Sequence, residues 1–277
     1  MAEARADVMA EVFRDHLLQG KVAFITGGGS GINLRIAERF AAHGASVGLM
    51  GRKQDKLDRA AESIRAAGGA ALGIAGDVRY YEECASALRK TREAFGAIDI
   101  LVCGAAGNFP ATVLDMSANG FKAVVDIDLL GTFNTCRAAY EHLRKPGAAV
   151  ISISATHAFV PIAYQAHVCA AKAGIDMFSK TLAIEWAAAG VRVNVIAPGP
   201  VDDTEGMRRL APTAEARRQA MASVPLGRFA TKDEIANLAL FLSSDAAAYI
   251  TGAICVCDGG QSLLGSRNFL AALGETS

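Results

Sequence analysis

The sequence predicts an α/β fold: one doubly wound Rossmann-type domain around a roughly seven-stranded parallel sheet. Three observations carry this. Short apolar runs alternate with longer charged segments of helical period, as in a parallel sheet covered on both faces. A glycine-rich stretch, "TGGGSGIN" (26–33), sits between the first apolar run and the first helical segment. No linker, repeat or low-complexity block divides the 277 residues, of which 52% are hydrophobic and 20% charged, enough for one large core.

Taken in order, "KVAFIT" (21–26) is the first strand, followed by a helix to His43. "SVGLM" (46–50) precedes a charged helix from Gln54 to Ala67, and "AALGIA" (70–75) precedes a helix over roughly 80–95. "IDILVC" (98–103) leads through a loop into one long helix over 120–145. "AAVISIS" (148–154) precedes the helix holding Lys172. "VRVNVIA" (191–197) is followed by a polar, helix-rich insert at about 202–228, read as substrate-binding, and "AICVCD" (253–258) is the last strand. The domain spans 19–265, with an amphipathic helical lead-in at 1–18 and a tail at 266–277. The lead-in mixes acids and bases without an uninterrupted apolar core, so it does not read as a signal peptide.

Formal net charge is zero, which argues against a global grip on nucleic acid or an anionic membrane. The apolar run 238–257 imitates a membrane span, but Ser243, Ser244, Asp245 and the Thr251-Gly252 turn interrupt it. A helix end followed by a strand is expected there, with no membrane span. The six Cys (84, 103, 136, 169, 255, 257) lack zinc spacing and predict no metal site. "AICVCDGG" reads as a buried strand with two small hydrophobes. Reduced thiols and an ending, "GETS", without a peroxisomal address lead to a cytoplasmic expectation.

In the glycine-rich stretch, Gly27, Gly28, Gly29 and Gly31 let the backbone turn tightly against a pyrophosphate, and the following helix N-terminus supplies N–H groups. Tight strand-to-helix turns also need glycine, but here strand, glycines and helix arrive in the order a dinucleotide needs. After the second strand, "LMGRK" carries Arg52 and Lys53 where an acid would hold a ribose hydroxyl. Two cations there suit a 2′-phosphate, hence NADPH; the alternative is a solvated pair of loop charges. "GDVR" (76–79) puts Asp77 near the adenine and leaves Arg79 pointing toward the open cleft.

Lys172 lies in "AHVCAAKAGID" (166–176), among small and apolar residues. A lysine in a close-packed helix needs a partner.

With these residues placed, the chain resembles the short-chain dehydrogenase/reductase family over nearly its whole length. The resemblance rests on "TGGGSGI", "GDV", "CGAAG", "SISA", Lys172, "RVNVIAPGPV" and "TGAICVCDGG". It implies a nicotinamide cofactor whose ribose Lys172 binds. Four positions depart from the family pattern. Val168 stands in place of the Tyr that protonates a carbonyl oxygen, Ala155 in place of its helper Ser, and Asp128 in place of an Asn. Asn33 replaces the third glycine of the phosphate loop, which must then tolerate a side chain where helix meets sheet. Tyr164 has the wrong spacing to replace the missing Tyr and reads as a packing or pocket aromatic.

The peroxisomal-type 2,4-dienoyl-CoA reductases, which also lack the Tyr, are similar in "AAGNF" (105–109), "DID" (126–128), "GTFN" (131–134), "HVCAAK" (167–172) and "APGPVDDTEGMRRL" (197–210). This resemblance implies Asp128 and Lys172 as catalytic. It implies a cofactor site built from Gly27, Gly29, Ser30, Gly31, Ile32, Arg52, Lys53, Asp77, Val78, Lys172, Pro198, Gly199, Val201 and Thr204. It puts Arg79, Phe109, Ser117, Ala118 and Asn119 around an acyl-CoA; Asn108, cofactor hydroxyls or backbone N–H groups are candidates to steady the dienolate oxygen, and His157 is a substrate-side candidate from its loop. Such a substrate explains the missing Tyr. Hydride enters at the far end of the conjugated system and the proton is needed at the carbon next to the thioester, away from where a Tyr would point. Asp128 alternatively serves as a structural acid. His167 is turned about 100° from the Tyr position, a packing role, whereas His157 in the loop after the fifth strand faces the substrate. Arg208 and Arg209 are helix surface charges or contacts to the CoA phosphates. Two other readings stay open: a reductase for another conjugated or carbonyl substrate, and a nucleotide-binding protein that has lost the chemistry. The family resemblance also implies a homotetramer.

Overall fold

The computed structural model describes residues 13–266. Seven parallel strands form one sheet in the order β3-β2-β1-β4-β5-β6-β7. They are β1 (Val22–Thr26), β2 (Ser46–Gly51), β3 (Ala70–Ala75), β4 (Ile100–Cys103), β5 (Ala149–Ile153), β6 (Arg192–Pro198) and β7 (Ile254–Cys257). The order reverses between β1 and β4, so a crevice opens at their carboxyl ends, where ligands of doubly wound sheets bind. In register, Thr26 of β1 sits beside Cys103 of β4, and Cys103 beside Ser152 of β5.

Both sheet faces are packed. Helices α1 (Gly31–Ala42), α2 (Gln54–Ala66) and α9 (Lys232–Ser243) cover one face, where Phe40, Ile36, Leu57 and Ile235 meet Ile25, Leu49 and Ile151. Helices α3 (Tyr81–Phe95), α5 (Gly131–Ala139) and α6 (Ala166–Trp186) cover the other, with Leu88, Cys136 and Leu182 against Phe24, Leu101 and Val150. The remaining helices are α4 (Ala118–Val125), α7 (Glu205–Leu210) and α8 (Ala214–Ala222). The last two lie in the insert expected at 202–228. In β7, Cys255 and Cys257 pack against the core while Val256 faces outward, the alternation expected of a strand.

Two expectations need correction. Of the helical lead-in, residues 1–12 lie outside the described residues, and 13–20 form turns. Leu18 is buried there, its N–H bonded to the His43 carbonyl at 2.9 Å. The expected tail from 267 onward also lies outside the described residues. The single helix over 120–145 is three segments: α4, a π-helical turn at Asp126–Leu130, and α5, which ends at Ala139. The π turn winds one extra residue into the helix, a feature frequent at functional sites. Thr132 and Thr135 hydroxyls bond the Asp128 and Gly131 carbonyls at 2.6 and 2.7 Å. Gly131 lets the helix approach Val78, since an added Cβ would lie 2.5 Å from Val78 Cγ2. Beyond α5 the chain turns so that Leu143 bridges to Ile98, and Pro146, which cannot continue a helix, follows.

Candidate active site

The phosphate loop leaves β1 at Thr26. Gly27 and Gly31 have φ of +68° and +62°, a conformation that favours glycine. Ser30 stands at the N-cap of α1 without a side-chain cap, so the first N–H groups of the helix keep their donor capacity for an anion. Ile32, in the first turn of α1, packs against the core. Asn33 is accommodated: its Nδ2 donates to the Gly104 carbonyl at 2.7 Å.

Arg52 and Lys53 are exposed just beyond β2. A cavity of about 380 Å³ is lined by Arg52, Ala75, Gly76, Asp77, Tyr80 and Glu83. Arg79 does not point into an open cleft. Its guanidinium turns back on Asp77, with Nε 3.0 Å from both carboxylate oxygens and Nη2 2.6 Å from Oδ2. That bond, more than any other cause, holds the Asp77 carboxyl below its usual range. Val78 is buried, and the Asn134 amide donates to the Val78 and Arg79 carbonyls at 3.0 and 3.1 Å, tying this loop to α5.

At the end of β6, Pro198 is buried and Gly199 runs close to Asp258, where an added Cβ would lie 2.7 Å from the Asp258 Cα. Val201 bridges to Ala230. Thr204 caps α7, accepting from Met207 N at 3.3 Å and donating to the Val201 carbonyl at 2.8 Å.

Asp128 and Lys172 come together. Asp128, in the π turn, is fully buried. Its Oδ1 accepts the Gly107 N–H at 2.7 Å, and its Oδ2 lies 3.1 Å from Lys172 Nζ as an ion pair. Lys172 also donates to the Ile153 carbonyl at 3.0 Å. An ammonium has three donors. One meets the Ile153 carbonyl, and the ammonium keeps donor capacity for a ligand.

Val168, one helical turn before Lys172, is buried with Val124 and Ala171, and Phe109 and Leu129 pack against them. The position of the expected Tyr is therefore an apolar plug. His167 is fully buried, its ring edge-on to Phe109 at 4.4 Å, and desolvation pulls its pKa down, in keeping with a packing role. His157 follows β5. Burial, then the Lys172 charge, lowers its pKa.

Asp176 escaped the sequence argument. It is buried one turn after Lys172 on α6, and burial pushes its carboxyl pKa up. The reasoning applied to Lys172 in its apolar helix applies equally to Asp176.

Of the residues expected around the acyl-CoA, Asn108 and Phe109 lie on the loop after β4, and Ser117, Ala118 and Asn119 at the start of α4. Asn108 Oδ1 is buried without a hydrogen-bond partner among the described residues. The Asn108 carbonyl accepts from Arg209 Nη1 at 2.8 Å, so Arg209 joins α7 to this loop. Phe109 also covers Gly120. Ser117 caps α4 by accepting from Gly120 N at 3.0 Å, and Ala118 and Asn119 are exposed in its first turn. Val113, Leu114, Phe159, Ile162 and Tyr164 are exposed apolar groups on the two adjoining loops, which are joined by the Ala111 N–H to the Tyr164 carbonyl at 3.0 Å.

A protein-family model described as Enoyl-(Acyl carrier protein) reductase matches residues 27–262. The peroxisomal 2,4-dienoyl-CoA reductase, (3E)-enoyl-CoA-producing, of Arabidopsis thaliana is 44% identical over 262 residues, covering 91% of this chain and 88% of the relative. The enzyme of the same name from Danio rerio is 42% identical, covering 96% and 89%. The probable 2,4-dienoyl-CoA reductase of Bacillus subtilis, named as (2E)-enoyl-CoA-producing, is 39% identical, covering 88% and 97%. Among solved structures, a short chain dehydrogenase from Bacillus anthracis superposes with a TM-score of 0.79 at 40% identity, covering 87% and 96%. The cytoplasmic expectation is overturned by these relatives, several of which are named as peroxisomal enzymes. Fold, motifs and relatives agree: the chain is an oxidoreductase belonging to the short-chain dehydrogenase/reductase family.

Proposed function

We propose that the protein reduces 2,4-dienoyl-CoA thioesters to 3-enoyl-CoA with NADPH, a step in the breakdown of unsaturated fatty acids. The observation that carries this reading is the buried Asp128–Lys172 pair beside an apolar Val168. A carbonyl reductase needs an acid at the carbonyl oxygen, and the site offers an isopropyl group there. The relatives named as dienoyl-CoA reductases support the same substrate class.

The residues fit a nicotinamide dinucleotide. The uncapped N-terminus of α1 suits the pyrophosphate, Arg52 and Lys53 suit a 2′-phosphate, and the donor capacity that Lys172 keeps suits a ribose hydroxyl. When bound, the reduced cofactor supplies the hydride. The Lys172 charge favours the negative charge that develops as hydride enters the far end of the diene. Asp128 Oδ2, which accepts no hydrogen bond among the described residues, holds a water that gives its proton to the carbon next to the thioester, and the Lys172 ammonium, 3.1 Å from Oδ2, supplies the proton that restores that water. The Asn108 side-chain N–H donates to the thioester oxygen as negative charge develops there. The exposed apolar side chains Phe133, Met177 and Ile184 on α5 and α6 suit helix-paired assembly into a homotetramer.

The test is NADPH oxidation with a 2,4-dienoyl-CoA against a 3-oxoacyl-CoA, with the product double bond located by NMR. Turnover of the dienoyl-CoA alone, giving the 3-enoyl product, is expected. A 2-enoyl product would contradict proton delivery at the carbon next to the thioester, and preferred turnover of the 3-oxoacyl-CoA would overturn the reading.

A further inference from the structure

Asn33 has no part in the chemistry just described. Its Nδ2 donates to the Gly104 carbonyl at 2.7 Å, and the Gly104 N–H bonds Thr26 Oγ1 at 3.1 Å, so the Gly104 residue is held from both sides. A Cβ added to Gly104 would lie 2.2 Å from Asn33 Oδ1, and its three nearest atoms all belong to the Asn33 side chain. Gly104 is not in the left-handed region, so the Asn33 side chain, rather than backbone conformation, excludes a larger residue there. A Cβ on Gly27 would likewise lie 2.8 Å from Asn33 Nδ2. Asn33 is therefore a wedge between the phosphate loop and the segment leaving β4. That segment reads Gly104, Ala105, Ala106, Gly107. It has no long side chain with which to anchor itself, and its two glycines give it high conformational freedom. At its far end the Gly107 N–H meets Asp128 Oδ1 at 2.7 Å.

We propose that Asn33 is a positioning residue for the reaction: its amide clamps the Gly104 carbonyl and thereby holds the Gly107 N–H on Asp128. The inference rests on the role assigned to Asp128 above. It makes the phosphate loop and the acid one mechanical unit, joined by a side chain where a glycine was expected.

The test is a double-mutant cycle on single-turnover NADPH oxidation with a dienoyl-CoA, using the parent, Asn33→Ala, Asp128→Ala and the double variant. Asn33→Ala is expected to slow the parent roughly 10- to 100-fold, the scale of a misplaced catalytic group. In the Asp128→Ala background the same change is expected to alter the rate less than about twofold, because the two residues act as one unit. NADPH binding, followed by its fluorescence, is expected to change little. Equal slowing in both backgrounds would overturn the inference while leaving the role of Asp128 intact. Absence of any slowing by Asp128→Ala would overturn the proposed mechanism itself, and this inference with it. Should Asn33→Ala lack a cooperative unfolding transition, Asn33→Leu keeps the branched volume without the donor and carries the same cycle. Separately, Gly104→Ala is expected to impair the parent and to be harmless beside Asn33→Gly; equal impairment in both would refute the wedge.

Discussion

The two ends of the sheet bury a carboxylate in opposite ways. At the end where the strands begin, Asp99 is 3% exposed, and the protein itself completes its bonding. Oδ2 accepts the Val22 N–H at 2.9 Å, Oδ1 accepts from Arg144 Nε at 2.6 Å, and Lys21 stands 3.7 Å away. At the end where the strands finish, Asp128 is fully buried, yet its Oδ2 makes an ion pair and no hydrogen bond. Around it, Asn108 Oδ1 and His157 Nδ1 also lack hydrogen-bond partners among the described residues. Native interiors leave few such atoms, and each calls for an explanation. The fold completes the bonding of the carboxylate at the first end, whereas the carboxylate at the other keeps capacity that a water or ligand would fill. The same residue type is thus a brace at one end and, in the proposed mechanism, the holder of a reacting water at the other.

Mutating each end separates these roles. The largest effect is expected for Lys172→Ala, which strands Asp128 without its ion-pair partner and removes the donor assigned to the ribose. Turnover should fall by at least the 10²–10⁴-fold, roughly, that follows loss of a positioned proton-transfer group. NADPH affinity, measured by fluorescence titration, should fall with it. At the other end, Asp99→Asn should cost about 1–3 kcal/mol of stability, because the charge-assisted bond from Arg144 is lost at a buried acceptor. Thermal unfolding would show that loss, and kcat per folded enzyme should not change. An Asp99 variant with normal stability and impaired turnover would break the comparison.

Smaller effects sharpen it. Arg52→Asp should lower the preference for NADPH over NADH by roughly tenfold, the worth of one exposed charge-assisted bond to a phosphate. Equal affinity of the parent for both cofactors would remove that prediction. Val168→Tyr should yield no carbonyl reductase. Ala155 leaves a new hydroxyl without a partner, and the ring would have to displace Phe109 and Leu129. Reduction of a 3-oxoacyl-CoA by that variant would show that only the missing Tyr separates the two chemistries.

Most strands were legible because a parallel sheet buried on both faces demands continuous Val, Ile and Leu, as in Val22–Thr26 and Ala149–Ile153. The phosphate loop was legible because its left-handed turns require glycine at 27 and 31. The break of the helix at Asp126–Leu130 was not. A π turn depends on how α5 packs against Val78, and the local pattern continues smoothly through it. Arg79 was misread because its pairing with Asp77, two residues away, competes with any substrate for the same cation. The meeting of Asp128 with Lys172 was suggested by resemblance alone, since nothing local ties a π turn to the middle of α6. Asp176 went unnoticed, although a lone acid in an apolar helix carries the same signal as Lys172.

The central claim is that Asp128 holds the proton-delivering water rather than bracing the fold. Single-turnover NADPH oxidation with a dienoyl-CoA, comparing the parent with Asp128→Ala, tests it most directly. The account predicts slowing by about 10²–10⁴-fold with NADPH affinity nearly unchanged, since a group acting in the transition state adds little to ground-state binding. Near-equal rates in the two proteins would make Asp128 a second Asp99 and turn attention to His157, in the loop after β5, as the proton source.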